Sequence, residues 1–136
     1  MKRILFLFLL LPFVGHGQII TTCVGNGIGG PLGDGGPATG AELNLPVGLN
    51  FDNSGHLFIC HQQLVRSVNF SIGIISTIAG SDTATGAGGG NNGGPATCAF
   101  ILNPYAVSVD EIGNIYIADY WLSQVSPHCS LMGFKC

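Results

Sequence analysis

Apolar residues in this chain fall in short clusters of about five, rich in Ile, Val and Leu and broken by turn residues. Beyond residue 17 no stretch keeps the 3.6-residue apolar period of an amphipathic helix. Gln18–Val24, QIITTCV, is rich in β-branched residues and stops at Gly25, which predicts a strand. Gly25–Gly40 holds eight glycines and two prolines, a density that predicts a loop. Strands are predicted over Pro46–Phe51, His56–Cys60, Leu64–Asn69 and Ile74–Ile78. After a second glycine-rich loop, Gly80–Pro95, come Tyr105–Val109, Asn114–Ala118 and Leu122–Ser126. Two tight turns, Asp52-Asn53-Ser54-Gly55 and Asp110-Glu111-Ile112-Gly113, put Asp where its carboxylate can bond the backbone and Gly where φ turns positive.

The inner strands Leu57–Cys60 and Ile115–Ala118 are nearly continuous apolar runs. A sheet with one wet face alternates polar and apolar positions, whereas a sheet covered on both faces need not. The connections are too short for parallel crossovers, so the sheets are expected to be antiparallel and buried on both sides. Blades of a β-propeller meet both conditions, because each blade is sandwiched between its neighbours.

The chain also repeats itself. Ile20–Gly25 matches Ile75–Gly80 at an offset of 55, and Gly35–Thr39 matches Gly93–Thr97 at an offset of 58. At the second offset Pro46 falls on Pro104, Asp52 on Asp110, Gly55 on Gly113 and Ile59 on Ile117. The second glycine-rich connection is therefore three residues longer, with the segments around it in register.

The runs PVGLNFDNSGHLFI (Pro46–Ile59) and PYAVSVDEIGNIYIAD (Pro104–Asp119) resemble the NHL repeat. The connecting IISTIAG and GGPAT segments resemble those of exported bacterial NHL-repeat proteins. The resemblance covers most of Ile19–Val125 and implies propeller blades of four antiparallel strands. It has departures. Cys60-His61 stands where the family carries Ala-Asp, and the stretch on to Val68 is about two residues short. Arg66 matches an arginine of the family's outer strand, where the second unit has Leu122-Ser123-Gln124. From Ser126 onward the sequence resembles nothing in the repeat.

Composition adds compartment and excludes a partner class. The chain is 46% hydrophobic and 8% charged, with four Lys and Arg in 136 residues. A nucleic-acid binder needs clustered cations to neutralise phosphates, so that class is excluded. Lys2-Arg3, the apolar run Ile4–Val14 and small residues at Gly15 and Gly17 have the layout of a secretory signal peptide. An eleven-residue helix crosses only about half of a bilayer core, which argues against an anchor. Cleavage after Gly17 would leave 119 residues with two basic and seven acidic side chains, a formal charge of −5. Export permits disulfides, but the five cysteines (Cys23, Cys60, Cys98, Cys129, Cys136) show no tight framework. Cys23 and Cys60, in predicted strands, read as small buried hydrophobes.

Candidate chemistry is sparse. Gly25–Gly30 matches G-x-G-x-x-G, but the prolines and glycines that follow cannot open the helix that would hold a pyrophosphate. Gly86–Gly94 lacks the Lys-Ser or Lys-Thr of a P-loop. Asp34, Asp52, Asp82, Asp110 and Asp119 lack EF-hand spacing. Asp52 and Asp110 read as turn formers, and Asp119 as an acceptor of backbone N–H groups in the turn after it. His56, His61 and His128, with Cys60 and Cys129, lack paired zinc spacing. Cys60 and His61 are adjacent on a strand and point to opposite faces. No Ser-His-Asp set has a nucleophile elbow. Asn69-Phe70-Ser71 fits a glycosylation sequon. Tyr120-Trp121, just past an inner strand, forms a candidate partner contact or packs on a further blade.

These readings combine into an all-β protein: a partial β-propeller of about two four-stranded antiparallel blades, an open fragment whose ring is not closed, preceded by a signal peptide. The segments are 1–17 signal peptide, 18–126 propeller blades (units roughly 20–74 and 75–126) and 127–136 off-pattern tail. One whole blade, one strand before it and about three after it cannot close a ring, so missing blades or self-association would cover the exposed faces. The expected function is a secreted, periplasmic or cell-surface scaffold that binds protein or glycan, with no catalytic residue, cofactor or metal. Alternatives are a fragment of a metal-dependent propeller lyase or hydrolase, or a truncated product without function. The structural turn residues are Asp52, Gly55, Asp110 and Gly113, and the partner contacts are Tyr120 and Trp121.

Overall fold

The computed structural model describes residues 18–82, 94–120 and 124–130, with side chains described as far as residue 120. The first sheet is a meander of β1 (Pro46–Phe51), β2 (Leu57–His61), β3 (Leu64–Asn69) and β4 (Ile74–Gly80), each antiparallel to the next. The second contains β5 (Pro104–Val109), β6 (Asn114–Asp119) and β7 (Gln124–Ser130) in the same order. Short 3-10 turns at Ala38–Gly40 and Ala96–Cys98 interrupt the two long connections. The fold is an open, partial propeller of two antiparallel blades, the second three-stranded among the described residues.

The two units repeat in detail. β1 and β5 each open on a proline and carry an irregularity in register just after it, between Pro46 and Gly48 and between Pro104 and Ala106. Proline offers no N–H to the ladder, so regular pairing starts after it. The Asp turns match as well. Asp52 Oδ1 accepts from Ser54 N and His56 N, each at 2.8 Å. Asp110 Oδ1 accepts from Ile112 N at 3.1 Å and Asn114 N at 2.7 Å. Gly55 and Gly113 close the turns at φ 83° and 90°.

Side chains of the first sheet divide between two cores, as strand alternation requires. Leu57, Ile59, Val68 and Ile75 pack with Ala38 and Ala41 of the first connection. Phe58, Cys60, Val65 and Ile78 point the other way and pack with Ala96, Ala99 and Ile101 of the second connection and with Val107, Ile115 and Ile117 of the second sheet. Each connection thus covers the sheet that follows it, and the second is also pressed between the two sheets. Burying a side chain of Val or Ile size contributes roughly 1.5–3 kcal/mol, so this shared core dominates what holds the sheets together. Gly48 sets their spacing: a Cβ there would lie 2.6 Å from the carbonyl oxygen of Tyr105.

Several sequence expectations need correction. Gln18–Val24 forms no strand, and Ile19 and Ile20 are 86% and 98% exposed. A strand exists only through its ladder partner, and among the described residues none lies beside this segment. Cys23 is accordingly exposed rather than buried, while Cys60 is fully buried as a free thiol. β4 runs on to Gly80, and β7 starts at Gln124 and continues past Ser126 into the stretch without repeat pattern. Residues 1–17, Gly86, Trp121 and Cys136 lie outside the described residues, as does the side chain of Cys129. No helix among the described residues is long and apolar enough to cross a membrane.

Candidate functional site

The start of β1, β3, β5 and β7 and the end of β2, β4 and β6 form one rim of the stacked sheets, and both long connections meet it. What holds this rim differs between the units. Asp119, at the end of β6 and 6% exposed, accepts from Leu102 N at 2.7 Å and from Asn103 N at 3.2 Å. These partners lie in the connection before β5; the turn after β6, where the sequence suggested them, lies outside the described residues. A carboxylate on two N–H groups fixes how the chain enters β5. Tyr120 N closes the other side by donating to Asn103 O at 3.1 Å.

This frame presents two aromatic rings. Tyr105, second residue of β5, and Tyr120, just beyond β6, are 61% and 69% exposed, with ring centroids 6.2 Å apart and tilted by 43°. The spacing is that of an interacting aromatic pair. Tyr120 belongs to the predicted contact; Tyr105 does not, since the fold alone brings it there from fifteen positions away.

A cleft of about 380 Å³ opens on the same rim of the first sheet, lined by Pro31, Asp34, Leu64, Thr77, Gly80, Ser81, Asp82 and Thr97. Its wall is fixed by Arg66, wholly buried on β3. Arg66 Nε donates to Asp34 Oδ1 at 2.9 Å, and its Nη1 donates to the carbonyl of Glu42 at 2.9 Å. Asp34 Oδ2 accepts from Thr77 N at 2.8 Å. One guanidinium thus ties the glycine-rich connection to the sheet, a role the sequence did not disclose.

The remaining titratable candidates are engaged in holding structure. His56 Nδ1 lies 2.8 Å from Asp52 Oδ2 within the β1–β2 turn. Burial alone would raise the Asp52 carboxyl, but its bonds to His56 hold it below the usual value. Asp110 is lowered as well; slight desolvation opposes the bonds to Asn114, Ile112 and Tyr116. His61 is fully buried; burial and the nearby Arg66 charge lower its pKa to about 4, against a raising contribution from Asp34. Burial pushes the Cys60 thiol up to about 12. Cys60 faces the shared core while His61 faces away, so the pair shares no ion. Among the described residues no group of three or more His, Cys, Asp or Glu side chains could hold a metal ion. Gly25–Gly30 enters an irregular loop, and the first helical residue after it is Ala38 in a single 3-10 turn. Asn69 Oδ1 accepts from Ser71 N at 2.9 Å within the β3–β4 turn.

No family model and no curated protein matches the chain. Among solved structures it is similar to a structural-genomics protein of unknown function from Bacteroides thetaiotaomicron, with a TM-score of 0.57 and 24% identity. The match covers 65% of this chain and 22% of that one. The likeness is one of fold: the same sheet arrangement recurs within a chain of which this one spans about a fifth.

Proposed function

We propose that the chain is part of an exported, NHL-type propeller scaffold that binds protein or glycan at its connection-bearing rim, without catalysing a reaction. The observation that carries this reading is the Tyr105–Tyr120 pair, two exposed rings on a rim held by Asp119 and by the Tyr120–Asn103 backbone bond. Rigid aromatic side chains supply large contact area at low entropic cost, and they stack on apolar faces of peptides and sugars alike. The cleft lined by Asp34, Thr77, Ser81, Asp82 and Thr97 adds hydrogen-bonding groups suited to a hydroxyl-rich ligand. The NHL assignment is supported by the paired runs from Pro46 and Pro104 and by the two antiparallel sheets they form. Export to the periplasm, the cell surface or the outside is supported by Lys2-Arg3 and the apolar run to Val14, which have the layout of a secretory signal peptide.

The test is equilibrium binding of the purified chain to oligosaccharide and peptide arrays. At least one class of ligand is expected to bind, and Tyr105→Ala and Tyr120→Ala are each expected to weaken it about tenfold, equivalent to ~1.4 kcal/mol. Binding that neither substitution changes, or no saturable binding to either array, would overturn the reading.

A further inference from the structure

Three features of a single copy are left open, and they are complementary. The first is one face of β1. Leu49 and Val107 hold the same position of the repeat, yet Val107 is 6% exposed and Leu49 is 64% exposed. Val107 is covered because the first sheet lies on it; Leu49 has no sheet on that side among the described residues. Val47 and Phe51, on the same face of β1, are 51% and 60% exposed.

The second is the far face of the β5–β7 sheet. Ala106, Ser108 and Tyr116 are exposed there, at the repeat positions of Gly48, Asn50 and Phe58. In the first sheet those positions belong to the face that meets the second sheet, with Gly48 against Tyr105 and Phe58 in the shared core. The third is Gln18–Val24. It matches the stretch leading to Gly80 in β4, and it leaves through Gly25 at φ 94° as β4 leaves through Gly80 at φ 88°. It pairs with no strand, while the β5–β7 sheet has no fourth strand among the described residues.

We propose that copies of this chain associate head to tail. The Val47–Leu49–Phe51 face of one copy stacks on the Ala106–Ser108 face of the next, and Gln18–Val24 of the first adds to β7 of the second as its fourth strand. The template is within the chain: β4, its connection and β5 already join one sheet to the next in this way. The connection from Gly25 to Leu43 already lies against its own sheet, with Ala38 and Ala41 buried as Ala96 and Ala99 are in the second unit. Beyond pairing of Gln18–Val24, a strand addition of the kind that recognises open sheet edges, the two faces must seat slightly wider than in the template, because Ala106 stands where Gly48 permits the closest approach. Pro127 removes one donor from β7, so the stacked apolar faces supply more of the contact than the ladder does.

Such a contact is heterologous, and repeating it gives a ring or a filament. If copies assemble through the two sheets described, propellers of about four to eight blades correspond to rings of two, three or four copies. The contact goes beyond ligand binding and does not depend on it.

The test is native mass spectrometry and sedimentation of the purified chain over a range of concentrations. Discrete masses of two to four copies, or longer filaments, are expected for the unaltered chain. Leu49→Lys and Ser108→Lys, both at positions exposed in the single copy, are each expected to give monomers with an unchanged circular dichroism spectrum. Mixing the two variants is expected to restore a one-to-one pair, since each keeps the face the other lacks. Ala106→Gly is expected to tighten assembly, because glycine is what permits the close approach at Gly48. A chain monomeric at every concentration overturns the proposal. So does an assembly that survives Leu49→Lys, or one that Ser108→Lys leaves intact, which would mean a symmetric contact through the Leu49 face alone.

Discussion

His61 occupies in the first unit the position that Asp119 occupies in the second, and both receive the equivalent backbone N–H. Asn44 N donates to His61 Nδ1 at 3.5 Å, and Leu102 N donates to Asp119 Oδ2 at 2.7 Å. A neutral imidazole can accept only one such bond, and at this length it is weak; a carboxylate accepts several at full strength. The other ring nitrogen, Nε2, is buried with no hydrogen-bond partner. The first unit therefore carries a weaker clamp than the second.

This clamp makes the first sheet acid-labile. His61 must stay neutral to accept from Asn44, and burial with the Arg66 charge beside it lowers its pKa from 6.5 to about 4 despite Asp34. As pH falls below 6.5 the unfolded chain takes up a proton that the folded chain refuses. Stability is therefore intact above that pH and declines between 6.5 and 4 by up to about 3 kcal/mol. Urea melts between pH 7.5 and 4 check this. His61→Asn, which accepts the same bond without titrating, is expected to flatten the profile, and a profile just as steep in that variant would refute the assignment.

Arg66 is expected to matter more than any other charged residue. Arg66→Ala leaves Asp34, the Glu42 carbonyl and the Thr77 amide without their organising partner and should cost about 3 kcal/mol. The first readout is local. Limited proteolysis should cut within Gly25–Gly40 well before the sheets are attacked, whereas cleavage at the unaltered rate would show that the guanidinium is not what anchors the connection.

Gly48→Ala is expected to push the sheets apart, since its Cβ would meet the Tyr105 carbonyl at 2.6 Å. Overpacking of this kind costs about 1–3 kcal/mol. Alanine at the matching position, Ala106, is native and exposed. Thermal melting of the variant decides the matter: a transition as high as that of the unaltered chain would mean the sheets do not approach as described.

Asp52→Ala removes acceptors for Ser54 N and His56 N and is expected to destabilise by about 1 kcal/mol. Because the Asp52 carboxyl is held below 3.8, its contribution is present above that pH and is lost as pH falls through the lowered value. Hydrogen exchange at Ser54 and His56 should quicken in the variant at neutral pH, with little change in the second sheet.

Much of the architecture was legible in the sequence because it is written locally. Continuous runs such as Leu57–Cys60, turns closed by Gly55 and Gly113, and the offset of 58 that superposes Ile59 on Ile117 need no knowledge of distant contacts. Features that depend on a neighbour were not legible. Gln18–Val24 has the composition of a strand, yet pairing is a property of two segments, and a β-branched run cannot report that no partner lies beside it among the described residues. Asp34 and Arg66 lie 32 residues apart, and Tyr105 and Tyr120 fifteen, so only the folded sheets bring them together. One sign of the Arg66 clamp was available: a solitary cation in a strand of Leu and Val implies a buried acceptor close by.

The phase of the repeat carries a genetic consequence. One sequence unit begins with the residues of an outer strand and ends before the next, whereas each sheet begins at an inner strand, so unit and blade are out of step. A segment of DNA encoding one such unit, inserted in tandem, would add a blade and bolt it covalently to both neighbours in the same event. An array built this way can lengthen or shorten by recombination without ever needing a new linker.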